Sequence, residues 1–321
     1  MLPYFRDIFG NASSPHSYGS QAHSAIEQAR AHVATLLNAD TSEIYFVNGG
    51  TESDNMAVKG IAYAQREKGR HIITTQIEHH AVLRTCQYLE KQEGFRVTYL
   101  PVDQYGIVDP EEVRSALTDN TILVSIMHAN NEVGTIEPIA EIGAITKEHA
   151  IPLHVDAVQS VGKIPVDVKA MHIDLLSLSA HKIYGPKGTG ALYVRRGTRL
   201  LPLLHGGHHE RKRRPGTENI PGIVGLGKAA EIALKEMDQQ AARLRSLRDT
   251  LQDKVLGAIE RVHVNGHPTQ RLPGTLNLSF EGVEGESMIL SLDLEGVAIA
   301  SGSACTSGTL EPSHVLTAMG V

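Results

Sequence analysis

Between residues 40 and 195, short apolar runs alternate with helical patterns, and this alternation most restricts what the chain can fold into. Ile44 to Val47, His71 to Thr75, Val97 to Leu100, Ile122 to Met127, Leu153 to Val155, Ile173 to Leu178 and Ala191 to Val194 read as strands. Near-continuous apolar runs such as Ile122-Leu123-Val124-Ser125-Ile126-Met127 suit strands covered on both faces, as in a mostly parallel sheet. Helix starts lie between them. Ser24-Ala25-Ile26-Glu27 has capping-box spacing ahead of a stripe at Ile26, Ala29, Val33 and Leu36. Asp109-Pro110-Glu111-Glu112 offers an N-cap, a first-turn proline and an acidic third position. Strands and helices in this order imply right-handed crossovers and an open α/β sheet flanked by helices.

From about Gly222 the pattern changes. Leu244, Leu247, Leu251, Val255 and Ile259 recur at three- or four-residue spacing, which predicts one or two helices. After Pro268, two β-like runs (Thr275 to Phe280 and Val297 to Ala300) enclose a helix at Glu286 to Leu292. A chain of 321 residues accommodates two domains. The expected division is a large domain over 12–237 and a smaller α+β domain built from 1–11 and 238–321.

Net charge is −6, so the overall balance favours neither nucleic acid nor an anionic membrane. No apolar run approaches the length of a bilayer span, and Met1-Leu2-Pro3-Tyr4-Phe5-Arg6-Asp7 lacks the basic and apolar regions of a secretory signal. Two cysteines, Cys86 and Cys305, make no disulfide framework, so a reducing, cytoplasmic location is expected.

In an open α/β sheet, ligands sit beyond the carboxyl ends of the strands. Asn48-Gly49-Gly50-Thr51-Glu52-Ser53 follows the first strand and opens a helix, where glycines, N–H groups and the Thr51 hydroxyl can meet a phosphate. It matches neither a Walker A loop nor a dinucleotide fingerprint, and alone it could be a plain turn. Later strand ends carry Ile77-Glu78-His79-His80, His128-Ala129-Asn130-Asn131-Glu132 and His154-Val155-Asp156-Ala157-Val158-Gln159-Ser160. Ser179-Ala180-His181-Lys182 then precedes a glycine-rich turn, a setting that can desolvate a lysine amine for Schiff-base chemistry. Any one cluster could be surface polarity. Pyridoxal phosphate (PLP) accounts for them together, needing a lysine, a carboxylate, a planar group and phosphate donors.

The runs 49–55, Glu78-His79, 128–134, 154–160, 179–182 and Arg214-Pro215-Gly216-Thr217-Glu218-Asn219 resemble cysteine desulfurases of the NifS/IscS type, which are class V aminotransferase relatives. Ser301-Gly302-Ser303-Ala304-Cys305-Thr306-Ser307 is similar to the loop carrying their active cysteine. The resemblance implies the PLP-dependent transferase fold type I. It implies Lys182 as the cofactor-anchoring and proton-moving lysine, Asp156 as partner of the ring nitrogen, and Gln159 and Asn131 at the ring hydroxyl. His79 would stack on the ring and help move protons. Gly50, Thr51, Ser179 and His181 would hold the phosphate, with Thr217 reaching in from a neighbouring subunit of a homodimer. Cys305 would take sulfur from L-cysteine as a persulfide, release L-alanine and pass the sulfur to an acceptor such as an iron–sulfur scaffold. No resident metal is required, although Cys305 could transiently ligate an iron–sulfur cluster.

Other readings stay open from sequence. A class V aminotransferase or selenocysteine lyase would keep the Lys182 site, and a non-catalytic assembly partner would keep the fold. The family pattern also implies an Asp-Asn-Asn-Ala-Thr-Thr-like run before Met1 and a Ser-Ile-Arg-Phe-Ser-like strand after Val321. The arginine of that strand pairs with the substrate carboxylate, so the resemblance implies a chain truncated at both ends, with weak turnover as 321 residues. Cys86 falls in a helical pattern and reads as core. His205-Gly206-Gly207-His208-His209-Glu210 lacks metal-ligand spacing, and Arg211-Lys212-Arg213-Arg214 lacks interleaved aromatics; both read as a solvated loop, with Arg214 near the phosphate.

Overall fold

The computed structural model describes residues 1–301 and 312–321. Its strands are β1 (Ile44–Val47), β2 (His71–Thr75), β3 (Arg96–Leu100), β4 (Thr121–Ser125), β5 (Leu153–Asp156), β6 (Leu175–Ser179), β7 (Gly190–Val194), β8 (Val262–Asn265) and β9 (Asn277–Phe280). Its helices are α1 (Pro3–Arg6), α2 (Ser17–Leu37), α3 (Gly50–Gln65), α4 (His80–Glu93), α5 (Pro110–Ala116), α6 (Ile139–Glu148), α7 (Ile220–Ala258), α8 (Gly285–Leu294) and α9 (His314–Met319).

The first seven strands form one sheet in the order β1-β7-β6-β5-β4-β2-β3. Only β7 runs against its neighbours, pairing antiparallel with β1 and β6, so the α/β fold with a mostly parallel central sheet holds. Strands β1, β2 and β4 to β7 are buried throughout, so β1 and most of β4 read as apolar runs without alternation, whereas β5 alternates Leu153 and Val155 with the buried polar His154 and Asp156. One core joins α2 and the start of α7 to one face of the sheet. A second joins α3 and α4 to the other, with Cys86 fully buried in it. No described helix is long and apolar enough to cross a membrane.

Two sequence expectations change. The first long helix starts at Ser17, capped by the His16 ring accepting from Gly19 N–H, rather than at Ser24. Ser24 lies inside it, donating to the Ser20 carbonyl at 2.9 Å, because buried Gly19 and Ala22 extend the packed stripe backwards. Val297 to Ala300 forms no strand; among the described residues β9 pairs only with β8, and residues 297–300 are exposed. The pattern after Gly222 is one helix of 39 residues, α7, within which the 237/238 position falls. By contrast, Asp109 caps α5 through Glu111 N–H at 2.9 Å with Pro110 in the first turn.

The antiparallel strand β7 brings the site together. Gly190 is paired with Val47 on one side and Ser179 on the other. A Cβ at Gly190 would lie 2.7 Å from the Gly49 Cα and 2.6 Å from the Leu178 carbonyl oxygen. The missing side chain lets the turn after β1 stand beside the end of β6.

Candidate active site

At these strand ends a cavity of about 720 Å³ is lined by the turn Asn48 to Glu52, Asn55, Ser179, His181, Lys187 and Gly188. The N-terminus of α3 opens into it, presenting N–H groups that a helix cannot pair internally. Thr51 is exposed there, and Ser179 Oγ and His181 Nδ1 lie 2.9 Å apart. These donors suit a phosphate. Glu52 lies beside them but is occupied, accepting from Arg214 Nε at 2.8 Å and from Asn48 N–H at 3.0 Å. Arg214 therefore neutralises a carboxylate at the mouth of the cradle.

Lys182 lies in a single 3-10 turn, Ala180–Ile183, directly after β6. Its half-buried side chain borders a second cavity, of about 910 Å³. Asp156 ends β5, is 5% exposed, and accepts from Val158 N–H at 3.0 Å. Burial pushes its carboxyl up to about 6, against the opposing pull of Val158 N–H and the Lys182 charge. A buried carboxylate facing one amine can stabilise a second cation.

His79 is half-buried as the N-cap of α4, its Nδ1 accepting from Ala81 N–H at 3.1 Å. Burial, then the charges of Lys182 and His314, hold its pKa below the usual histidine range, so the ring is neutral with Nδ1 committed. Gln159 is half-buried and its Oε1 accepts from Lys163 Nζ at 2.9 Å. Asn131 is half-buried, with no described hydrogen bond from its side chain. Its neighbour Asn130 shapes the loop, donating to the Ile77 carbonyl and accepting from Glu132 and Val133 N–H. Thr217 is exposed and borders neither cavity. Cys305 lies outside the described residues.

Sequence reasoning left out the polar layer beneath this site. His154, fully buried on β5, meets Ser125 Oγ through Nδ1 at 2.8 Å and Ser177 Oγ through Nε2 at 3.0 Å. Asp54 of α3 has its Oδ1 3.6 Å from His154 Nε2, and that oxygen has no hydrogen-bond partner among the described residues. The contact is not an ion pair. Burial drives the His154 pKa down to about 3, so its ring stays neutral, while burial and then the Asp156 charge drive that of Asp54 upward. The available signal was periodicity: His154 and Asp156 share a face of β5, and Ser177 is in register with Asp156.

The residues present fit pyridoxal phosphate. The donors at α3 match a phosphate dianion, Asp156 is a buried carboxylate suited to a cationic ring nitrogen, and Lys182, in the turn after β6, supplies an amine. Glu210, in the histidine-rich loop, is instead bound to Arg30 through both carboxylate oxygens at 2.8 Å. Among the described residues, no group of three or more His, Cys, Asp or Glu side chains is placed to hold a metal ion.

The chain matches the family model for aminotransferase class-V over residues 1–320. It is 59% identical over 321 residues to a protein named cysteine desulfurase IscS from Methanosarcina thermophila, covering 100% of this chain and 79% of that relative. A protein of the same name from Dictyoglomus turgidum is 56% identical, covering 100% of this chain and 81% of its own. Among solved structures, one titled NifS-like protein superposes with a TM-score of 0.93 at 41% identity, over 100% of this chain and 84% of that one. One titled SspA in complex with cysteine gives 0.87 at 42% identity, over 99% and 89%.

Proposed function

The chain belongs to the aminotransferase class-V family, and from that membership we propose that it is a PLP-dependent cysteine desulfurase. The observation that carries this reading is that the α3 donor cradle, Asp156 and Lys182 follow β1, β5 and β6 at the same carboxyl edge of one sheet. The identity of 59% to a named cysteine desulfurase supports L-cysteine as the substrate.

Gly50, Thr51, Ser179 and His181 would hold the phosphate. Asp156 would supply a carboxylate to the ring nitrogen, Asn131 and Gln159 would serve the ring oxygen, and His79 would stack on the ring. When bound, pyridoxal phosphate supplies an aldehyde for amine condensation and a cationic ring that withdraws electrons from the substrate Cα. Lys182 anchors the group and moves the Cα proton through Nζ. The Cys305 thiolate attacks the substrate sulfur. The carbon–sulfur bond breaks, the sulfur stays on Cys305 as a persulfide, and the carbon takes up a proton to leave as alanine.

The same reading has a cytoplasmic homodimer in which Thr217 completes the neighbouring site, and a protein acceptor such as an iron–sulfur scaffold that receives the sulfur. The division into a large domain over 12–237 and a small one over 1–11 and 238–321 belongs to it as well.

The test is the visible spectrum of the purified chain with added pyridoxal phosphate, before and after L-cysteine, with alanine and sulfide assayed alongside. Lys182→Ala should abolish the cofactor band. Cys305→Ala should keep the band and lose sulfur release; desulfuration at the full rate by that variant would sink the mechanism.

A further inference from the structure

The turn after β5 packs onto the turn that carries Lys182. Gly162 has φ 74°, and a Cβ there would stand 2.6 Å from Ile183 Cγ2. Only glycine allows so close an approach in that conformation. The next residue, Lys163, is thereby set on the same cavity of about 910 Å³ as Lys182. Lys163 Nζ donates to Gln159 Oε1 at 2.9 Å, and among the described residues no ion pair joins it to a carboxylate. An ammonium has three donors and no acceptor, so the Gln159 atom it meets must be the oxygen. The amide nitrogen is left as the group that Gln159 offers to the site, and it can only donate.

We propose that Lys163 is a positioning residue for the cofactor: by occupying Gln159 Oε1 it fixes the amide nitrogen as donor to the ring oxygen. It also sets a second cation beside Lys182. The proposal rests on the pyridoxal phosphate reading above. Two effects then act in one direction. A donor at the ring oxygen stabilises its anionic form, and a nearby ammonium disfavours a proton on the Lys182 nitrogen. Burial, and next the Lys182 charge, holds the Lys163 amine down at about 8, as a cation kept close to another cation requires. The other charged side chains bordering the cavity are Lys228, Glu236 and Arg243 of α7. His79, Asp156 and His181 act on or feel the Lys182 charge from α4, β5 and its own turn.

The experiment is a spectrophotometric pH titration of the cofactor band in the holoprotein, with pyridoxal phosphate affinity measured by fluorescence in parallel. Lys163→Met should raise the midpoint by roughly one pH unit, and Lys163→Arg should stay near the parent. Because part of the effect runs through the Gln159 amide, adding Lys163→Met to Gln159→Leu should change the midpoint less than it does in the parent. An unchanged midpoint in Lys163→Met, or equal shifts in both backgrounds, overturns the proposal while leaving the cofactor reading intact. Should Lys163→Met not fold, Lys163→Gln serves in its place: it removes the charge, and an unchanged midpoint there also overturns the proposal. A parent chain that develops no visible band with pyridoxal phosphate fails the underlying reading instead.

Discussion

The guanidinium of Arg30 meets both carboxylate oxygens of Glu210, each at 2.8 Å, although the two residues lie far apart in sequence. Both are nearly fully buried, Arg30 also donates to the Ile44 carbonyl and stacks over Phe46, and Glu210 accepts from Phe46 N–H. The pair ties the 205–214 loop to α2 and β1, and Arg214 of that loop reaches Glu52 at the phosphate cradle.

Arg30→Met should therefore destabilise strongly, because it strands the Glu210 carboxylate among buried groups. The expected loss is about 3–5 kcal/mol in urea unfolding. Arg30→Met combined with Glu210→Leu should recover much of it, since no charge is then left unpaired. If the single variant unfolds like the parent, the pair is not what holds the loop.

Glu78 predicts a pH dependence. Its Oε1 accepts from Thr75 Oγ1 at 2.7 Å and Met127 N–H at 3.0 Å, its Oε2 is unpartnered, and burial pushes the carboxyl up to about 8. A carboxyl whose pKa is higher folded than unfolded contributes stability that is complete below the unfolded value, near 4.5, and lost as pH rises to about 8. Stability should fall across that window by up to about 1.4 kcal/mol per pH unit from this group. Glu78→Gln should flatten the slope, and equal slopes of unfolding free energy against pH in parent and variant would contradict this account.

Gly162→Ala should lower stability by about 1–3 kcal/mol, because the left-handed backbone and the contact with Ile183 both resist a side chain. It should also weaken pyridoxal phosphate binding by moving the Lys182 turn. Urea unfolding and cofactor fluorescence read the two effects separately, and parent-like values in both would refute the close-packing argument.

Asp156→Asn should keep the visible cofactor band, since Lys182 remains, while slowing alanine formation by about 100-fold or more through loss of the carboxylate. Retained turnover would remove Asp156 from the role assigned to it.

The strands were legible because a buried parallel sheet needs near-continuous apolar runs, and Ile44 to Val47 or Ile122 to Met127 can satisfy that need in few other ways. Helix boundaries were less so. Ser24 has the composition of a cap but lies within a stripe already packed from Gly19 onward, and burial outweighed the local hydrogen bond. Val297 to Ala300 has strand composition without a described strand partner. Lys163 went unassigned because a lysine near a glycine has no distinctive signal until the Gly162 turn is seen against Ile183.

By itself, then, the sequence determined the order of strands and helices, the donor turn at Gly50-Thr51 and the polar strand ends at Asp156 and Lys182. Those are local properties, written in periodicity and in which residue follows a strand. Only the tertiary structure decided which charges share one enclosure: Asp54 under Asp156, Lys163 beside Lys182, Glu210 inside the grasp of Arg30. Burial and proximity set protonation, and both depend on chain segments that meet only when the sheet and its covering helices close.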